Sequence, residues 1–144
     1  MKIQSSAFAE STFIPKLYTC DGQDKIPPMQ FLDVPAETKS LALIIDDPDA
    51  ALSGGWDHYV GWNISSDTKE VKEGVEPAAV DGKNSWSEIG YKGPCPPAEH
   101  RYYFKLFALD TKFDLPKGAT KKELLKAMQG HILEKAELMG KYKR

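Results

Sequence analysis

Residues Gly90–Asp110, GYKGPCPPAEHRYYFKLFALD, place a rigid turn directly before a long strand-like run. The turn GPCPP at 93–97 contains three prolines. Proline fixes φ and lacks a backbone donor, so the remaining N–H groups of such a turn can be oriented with little loss of entropy. We predict that the backbone N–H groups of Gly93, Cys95 and Ala98 bind an anion.

The run after this turn alternates with a period of two, as expected for a β-strand. One face carries His100, Tyr102, Phe104, Leu106 and Ala108. A histidine and a tyrosine at the start of an otherwise apolar face indicate a lined pocket. The alternative is a buried core histidine bonded to a carbonyl group with a tyrosine beside it.

A second strand is predicted from the apolar run Leu41–Ile45, which is typical of a central strand covered on both faces. It ends in DDPDA at 46–50. The spacing lacks the glycine and the downstream glutamate of a calcium loop. We expect Asp46 and Asp49 to cap the turn, and Asp47 to point inward because it is the last residue that the strand positions.

A third strand is predicted at 56–64, WDHYVGWNI, after a flexible corner at Ser53–Gly55. Alternation places His58, Val60, Trp62 and Ile64 on one face. A single histidine on such a face is most often a satisfied core residue. Because Asp47, His58 and His100 all lie at the ends of apparent core strands, we predict that the three meet in one pocket.

The C-terminal segment shows a helical pattern. Thr120 and Glu123 have the spacing of a capping box. Apolar residues then recur every three or four positions at Leu125, Met128, Ile132, Ala136 and Met139. The pattern predicts one long helix that ends at Gly140.

The composition bounds the class of protein. The chain has 144 residues, which predicts a single domain over 1–144. Its 19 basic and 21 acidic residues do not favour a nucleic-acid surface. It lacks a run of roughly 20 apolar residues and an apolar signal-peptide core. We therefore expect a soluble, cytoplasmic protein without stable membrane insertion.

The two cysteines, Cys20 and Cys95, belong to no CxxC pair. This spacing argues against a structural zinc site, and in a cytoplasmic chain both thiols are expected to be reduced. Cys95 is a candidate nucleophile if His100 folds back towards it, but a small turn residue is the simpler interpretation. No metal or cofactor is predicted.

Taken together, these motifs resemble the phosphatidylethanolamine-binding protein family, the group that includes Raf kinase inhibitor protein, and in particular its bacterial members. Asp47–Ala50 is similar to the family's DPDAP motif, Trp56–Asn63 to its W-x-H strand, and GPCPP at 93–97 followed by His100–Tyr102 to its third motif. Order and spacing agree, and weaker similarity covers nearly the whole chain.

The resemblance implies a mainly β fold of two packed, largely antiparallel sheets, a β-sandwich, with one C-terminal helix and a small anion pocket. It assigns ligand-binding roles to Asp47, His58, His100, Tyr102, Gly93 and Trp56, and we add Cys95 of the turn. Two departures from the family pattern are Ala51 in place of the last proline of DPDAP and the lack of a further helix after the predicted one. They imply a looser turn and a more open pocket mouth.

The leading functional prediction is a binding module for a small anion such as phosphate, or for a phosphorylated side chain or head group, without catalytic residues. The resemblance implies that it regulates a partner, such as a kinase or another enzyme that handles phosphorylated groups. A second hypothesis is a metal-dependent hydrolase that uses Asp47, His58 and His100. A third is an interaction domain with a vestigial pocket. The chain is expected to be a monomer or a homodimer.

Overall fold

The computed structural model describes residues 1–50 and 54–144. It shows a mainly β protein with two antiparallel sheets. Ala51, the departure from the family motif, and Ser53 of the predicted flexible corner lie outside the described residues. In the described part of the chain, no helix has the length and apolar character needed to cross a membrane.

The smaller sheet has the strand order β1-β2-β5 and the larger one the order β6-β4-β3-β7-β8. The strands are β1 (Lys2–Gln4), β2 (Met29–Leu32), β3 (Ser40–Asp47), β4 (Trp56–Ile64), β5 (Glu70–Val71), β6 (Val80–Asp81), β7 (His100–Leu109) and β8 (Ile132–Tyr142). A 3-10 turn spans Lys16–Tyr18, and helix α1 spans Lys121–Met128.

The large sheet is covered on both faces. One face packs against the small sheet and buries Leu41, Leu43 and Ile45 of β3. The other face packs against α1 and buries Ala42 and Ile44. Every residue of β3 is buried, and β3 lies between β4 and β7. This confirms the prediction of a central strand, because only a strand covered on both sides requires apolar residues at successive positions.

Strand β4 departs from simple alternation. Its pairing with β3 shifts register twice, once between the partners of Leu41 and Leu43 and once between those of Ile45 and Asp46. Each such bulge moves the following residues to the opposite face of the sheet. The prediction that four residues of β4 share a face was therefore wrong. Val60 and Trp62 lie in the core under α1, whereas Ile64 lies between the sheets.

The long C-terminal helix was also predicted wrongly. The capping box of Thr120 and Glu123 is present, but α1 ends at Met128 and the chain turns at Gly130, whose φ is 78°. Residues Ile132–Tyr142 instead form β8, which pairs with β7 along its whole length. The edge of β7 offers this segment a hydrogen-bonded ladder, and that tertiary pairing overrides a weak local helix pattern. Gly140 is not a helix cap but a strand residue packed against Phe8 and Ile14.

The expectation of reduced thiols was wrong as well. Cys20 and Cys95 form a disulfide across 75 residues of sequence. Both residues are exposed, and the bond joins the loop after the 3-10 turn to the proline-rich turn before β7. Disulfides are typical of proteins in oxidising compartments. The bond therefore gives no support to the cytoplasmic location predicted from the sequence.

Candidate functional site

A cavity of about 340 Å³ opens at one end of the large sheet. It lies where the end of β3 meets the starts of β4 and β7. Its lining residues are Asp47, Ala50, Trp56, His58, Trp86, Cys95, Pro96, Pro97, His100 and Tyr102. The volume is at the lower end of the range for small-molecule sites, about 300–1,000 Å³. The three predicted residues Asp47, His58 and His100 therefore meet in one place.

Asp47 and His100 form a tight pair in this cavity. His100 Nδ1 lies 2.6 Å from Asp47 Oδ2, and the two side chains are 13% and 5% exposed. A carboxylate accepts, so His100 Nδ1 carries the hydrogen. The other oxygen of Asp47 accepts from the backbone N–H of Asp49 at 2.8 Å. Both oxygens of Asp47 are thus engaged within the protein, and this residue orients His100.

His58 is held by the backbone of the loop before the proline-rich turn. Its Nδ1 lies 2.6 Å from the carbonyl oxygen of Lys92, and the N–H of Lys92 donates to the His58 carbonyl at 3.0 Å. The bulge between the partners of Ile45 and Asp46 places His58 on the cavity side of the sheet. The residue is buried, and burial lowers the pKa of its imidazole.

Aromatic side chains form the walls. The His58 ring makes edge-to-face contacts with Tyr102 and Trp86, each at 5.2 Å between ring centroids. Trp56 packs edge-on against Trp86 at 5.4 Å. Burial and the nearby Asp47 carboxylate raise the pKa of Tyr102, so its phenol is neutral and able to donate. The site is therefore polar at its imidazoles and apolar around them, which strengthens any hydrogen bond to a ligand.

The proline-rich turn contributes less backbone than predicted. The N–H of Gly93 donates to Asp24 Oδ1 at 2.9 Å, so this donor is already used inside the protein. Gly93 is buried, and a Cβ there would collide with the carbonyl oxygen of Tyr18. The structure thus gives Gly93 a packing role behind the cavity wall. Cys95 does line the cavity, but it is bonded to Cys20 and is not a free nucleophile.

The neighbours of Asp47 are not the turn caps that the sequence suggested. Asp46 points to the opposite face of the sheet, where its Oδ2 lies 2.9 Å from Lys105 Nζ and 3.2 Å from Lys121 Nζ. Asp49 binds Arg101 through both oxygens, at 2.7 Å to Nη2 and 2.9 Å to Nε. It also accepts from the Arg101 N–H. Asp49 therefore ties the loop after β3 to the start of β7.

Sequence reasoning missed Asn84. This side chain is 4% exposed, and its Oδ1 accepts from the N–H groups of Trp86 and Glu88 at 2.9 and 3.1 Å. Its Nδ2 donates to the Gly90 carbonyl at 3.1 Å. The bonds fix the loop that carries Trp86 into the cavity wall. An asparagine two residues before an aromatic residue in a turn-rich segment was the available signal.

Comparisons with known proteins agree with this architecture. The family model described as phosphatidylethanolamine-binding protein matches residues 4–143. A UPF0098 protein of Methanothermobacter thermautotrophicus is 47% identical, and the alignment covers 100% of this chain and 99% of the relative. A UPF0098 protein of Chlamydia muridarum is also 47% identical, with the same coverage.

Two crystal structures are similar over nearly their whole length. A Chlamydia trachomatis protein described as a homologue of phosphatidylethanolamine-binding protein superposes with a TM-score of 0.95 at 47% identity, covering 99% of this chain and 97% of that one. Escherichia coli YbcL, described as a member of the mammalian PEBP family, superposes with a TM-score of 0.92 at 25% identity, covering 99% and 98%.

The chain belongs to the phosphatidylethanolamine-binding protein family. The resemblance inferred from three short motifs is thereby confirmed, and so is the mainly β fold, with two antiparallel sheets and one α-helix in the part of the chain that the structure describes. Residues of all three motifs, among them Asp47, His58 and His100, line the cavity.

The described residues contain no cluster of three or more histidine, cysteine, aspartate or glutamate side chains arranged to hold a metal ion. Asp47 uses its two oxygens on His100 and Asp49, and His58 uses Nδ1 on a carbonyl group. The hypothesis of a metal-dependent hydrolase therefore finds no support in the geometry.

Proposed function

We propose that the cavity binds a small phosphorylated or otherwise anionic group. The observation that carries the proposal is the Asp47–His100 pair. Its bond through Nδ1 fixes the His100 ring in the cavity wall, and Nε2 has no protein partner among residues 1–50 and 54–144. In its imidazolium form, paired with the Asp47 carboxylate, His100 offers its Nε2–H as a charge-assisted donor to an anion.

The surroundings support the same ligand class. Tyr102 is neutral and can donate through its hydroxyl group, and Trp56 and Trp86 keep the cavity apolar around the polar groups. In such an environment a hydrogen bond to an anion is stronger than in water. The volume suits a phosphate group with a few further atoms.

Regulation of a partner protein is the second part of the proposal. Exposed Cys95 and Pro97 belong to the cavity lining, so a phosphorylated side chain of another protein can enter without local unfolding. A partner such as a kinase, or another enzyme that handles phosphorylated groups, would then be bound through its phosphorylated residue. Free phosphoethanolamine and a phosphorylated side chain share one chemical group, the phosphomonoester.

Isothermal titration calorimetry with inorganic phosphate, phosphoserine and phosphoethanolamine tests the proposal. We expect His100→Ala to weaken each by about tenfold or more, because a hydrogen bond to a charged group contributes about 1.5–3 kcal/mol. His131→Ala is the matched control: this histidine is bonded to Asp110 on the surface and lies outside the cavity lining. Absence of heat with all three ligands at millimolar concentration would instead support a vestigial pocket.

A further inference from the structure

The orientation of His58 fixes which of its ring nitrogens carries a hydrogen. Nδ1 lies 2.6 Å from the Lys92 carbonyl oxygen. A carbonyl oxygen can only accept, so Nδ1 must donate. In the neutral ring, Nε2 then has a lone pair and no hydrogen. The reciprocal bond from Lys92 N to the His58 carbonyl, 3.0 Å long, keeps the two segments in this register.

The environment of His58 favours the neutral ring. The residue is 2% exposed, and this burial is the largest influence on its pKa, which lies below the usual value. The bond to the Lys92 carbonyl and the carboxylates of Asp47, Asp57 and Asp24 act in the opposite direction, but their effect is smaller. The rings in direct contact belong to Trp86 and Tyr102, and neither carries a charge.

The remaining nitrogen of His58 is an acceptor without a donor. Among residues 1–50 and 54–144, no group forms a hydrogen bond with Nε2, although the side chain is almost fully buried and lines the cavity. Nε2 is not one of the buried unpaired side-chain atoms of the described residues, so it is open to the cavity until a ligand covers it. Once a polar atom is covered, leaving it unpaired is costly. A ligand that fills the cavity must therefore bring a hydrogen to this atom.

We propose that the cavity selects anions that carry a proton, so that a phosphomonoester monoanion binds more tightly than the equally charged sulfate ester. The phosphate hydroxyl donates to His58 Nε2, and the unprotonated oxygens face His100 and Tyr102. A sulfate ester presents only acceptors, so one of its lone pairs faces the lone pair of His58 in a buried site. The inference rests on the proposed anion binding and adds its selectivity.

A pH profile alone does not test this selectivity. A neutral His58 with a monoanion contains as many protons as a charged His58 with a dianion, so both complexes give the same dependence on pH. The test therefore compares methyl phosphate with methyl sulfate at pH about 5. There the phosphate ester, with a second pKa near 6, is mostly a monoanion. The two ligands have the same charge and the same number of heavy atoms, and only methyl phosphate has a hydroxyl group.

We expect wild-type protein to bind methyl phosphate about tenfold or more tightly than methyl sulfate, as measured by calorimetry. In His58→Gln the side-chain amide can turn its NH2 group towards the ligand, and the ratio of the two affinities should fall to about threefold or less. His131→Ala should keep the wild-type ratio. Long-range ¹H–¹⁵N spectra of the wild-type imidazoles provide a measurement that does not depend on a variant. They should show a neutral His58 with its hydrogen on Nδ1, both free and with methyl phosphate.

The outcomes separate the two proposals. If both esters bind wild-type protein with affinities within about threefold, the selectivity is wrong and anion binding stands. If neither ester binds, anion binding fails and the selectivity fails with it. A His58 imidazolium in the complex, or a hydrogen on Nε2, would also overturn the selectivity, even if His58→Gln does not fold.

Discussion

Removing the Cys20–Cys95 disulfide should destabilise the protein without abolishing the cavity. The bond closes a loop between residues 75 positions apart. Cross-linking a loop of this length lowers the entropy of the unfolded chain, and the chain-entropy relation gives about 4.5 kcal/mol at 25 °C. For a domain of this size, the loss corresponds to a decrease in Tm of about 10–15 °C. The variant to compare with wild type is Cys20→Ser/Cys95→Ser.

The cavity should persist because other bonds hold the same wall. Gly93 N donates to Asp24 at 2.9 Å, Cys20 N to the Pro94 carbonyl at 3.1 Å, and the Tyr91 hydroxyl to the Tyr18 carbonyl at 2.8 Å. None of these three bonds uses a cysteine side chain, so all three can form in the double serine variant. We therefore expect phosphate affinity to change by less than about threefold.

Urea denaturation and scanning calorimetry, each with and without a thiol reductant, measure the loss of stability. Both cysteines are exposed, so the reductant can reach the bond in the folded protein. Reduced wild type and the double variant should unfold at the same lower denaturant concentration, and the reductant should not affect the double variant. Equal midpoints for oxidised wild type and the double variant would refute the stabilising role. If the double variant is folded but binds phosphate much more weakly than wild type, the three other hydrogen bonds do not hold the cavity wall without the disulfide.

Two further predictions follow from the same region. Gly93→Ala should lower the free energy of unfolding by about 1–3 kcal/mol in urea denaturation, since a Cβ would collide with the Tyr18 carbonyl and crowd Asp24; unchanged stability would contradict this packing role. Hydrogen bonds from Arg101 lower the pKa of Asp49 to about 2, which means that the ionised carboxylate is favoured in the folded state. Its stabilising contribution is present above the unfolded pKa of about 4 and lost as pH falls towards about 2. Asp49→Asn should therefore flatten the dependence of stability on pH in this window, and an unaltered slope in acid denaturation would count against the pairing.

The sequence alone determined the strands whose burial is uniform or strictly alternating. The apolar run Leu41–Ile45 identified β3, since only a strand covered on both faces needs five successive apolar residues. The alternation from His100 to Leu109 identified β7 and its inward residues, and Tyr102 and Phe104 are indeed in the core between the sheets. Short-range spacing also showed that Asp47, His58 and His100 lie at strand ends.

Bulges and competing pairings were decided only by the tertiary structure. In β4, two register shifts separate His58 and Ile64 from Val60 and Trp62, and a bulge has no fixed signature in alternation. In the C-terminal segment, Ala136, Leu138 and Tyr142 also alternate, so a strand and a helix were both compatible with the sequence. The segment forms a strand because β7 has a free edge with which it can pair. The long ladder of hydrogen bonds to β7 stabilises β8 more than local helix propensity can stabilise a helix.

The chemistry of the site divides in the same way. The sequence supplied the residue types of the cavity, but it could not show that Cys20 and Cys95 meet across 75 residues or that Asp24 occupies the N–H of Gly93. Nor could it show which ring nitrogen of His58 carries the hydrogen. That assignment depends on the Lys92 carbonyl, which lies 34 residues further along the chain. Contacts between distant segments determine which donors and acceptors remain free, and these contacts form only when the chain is folded.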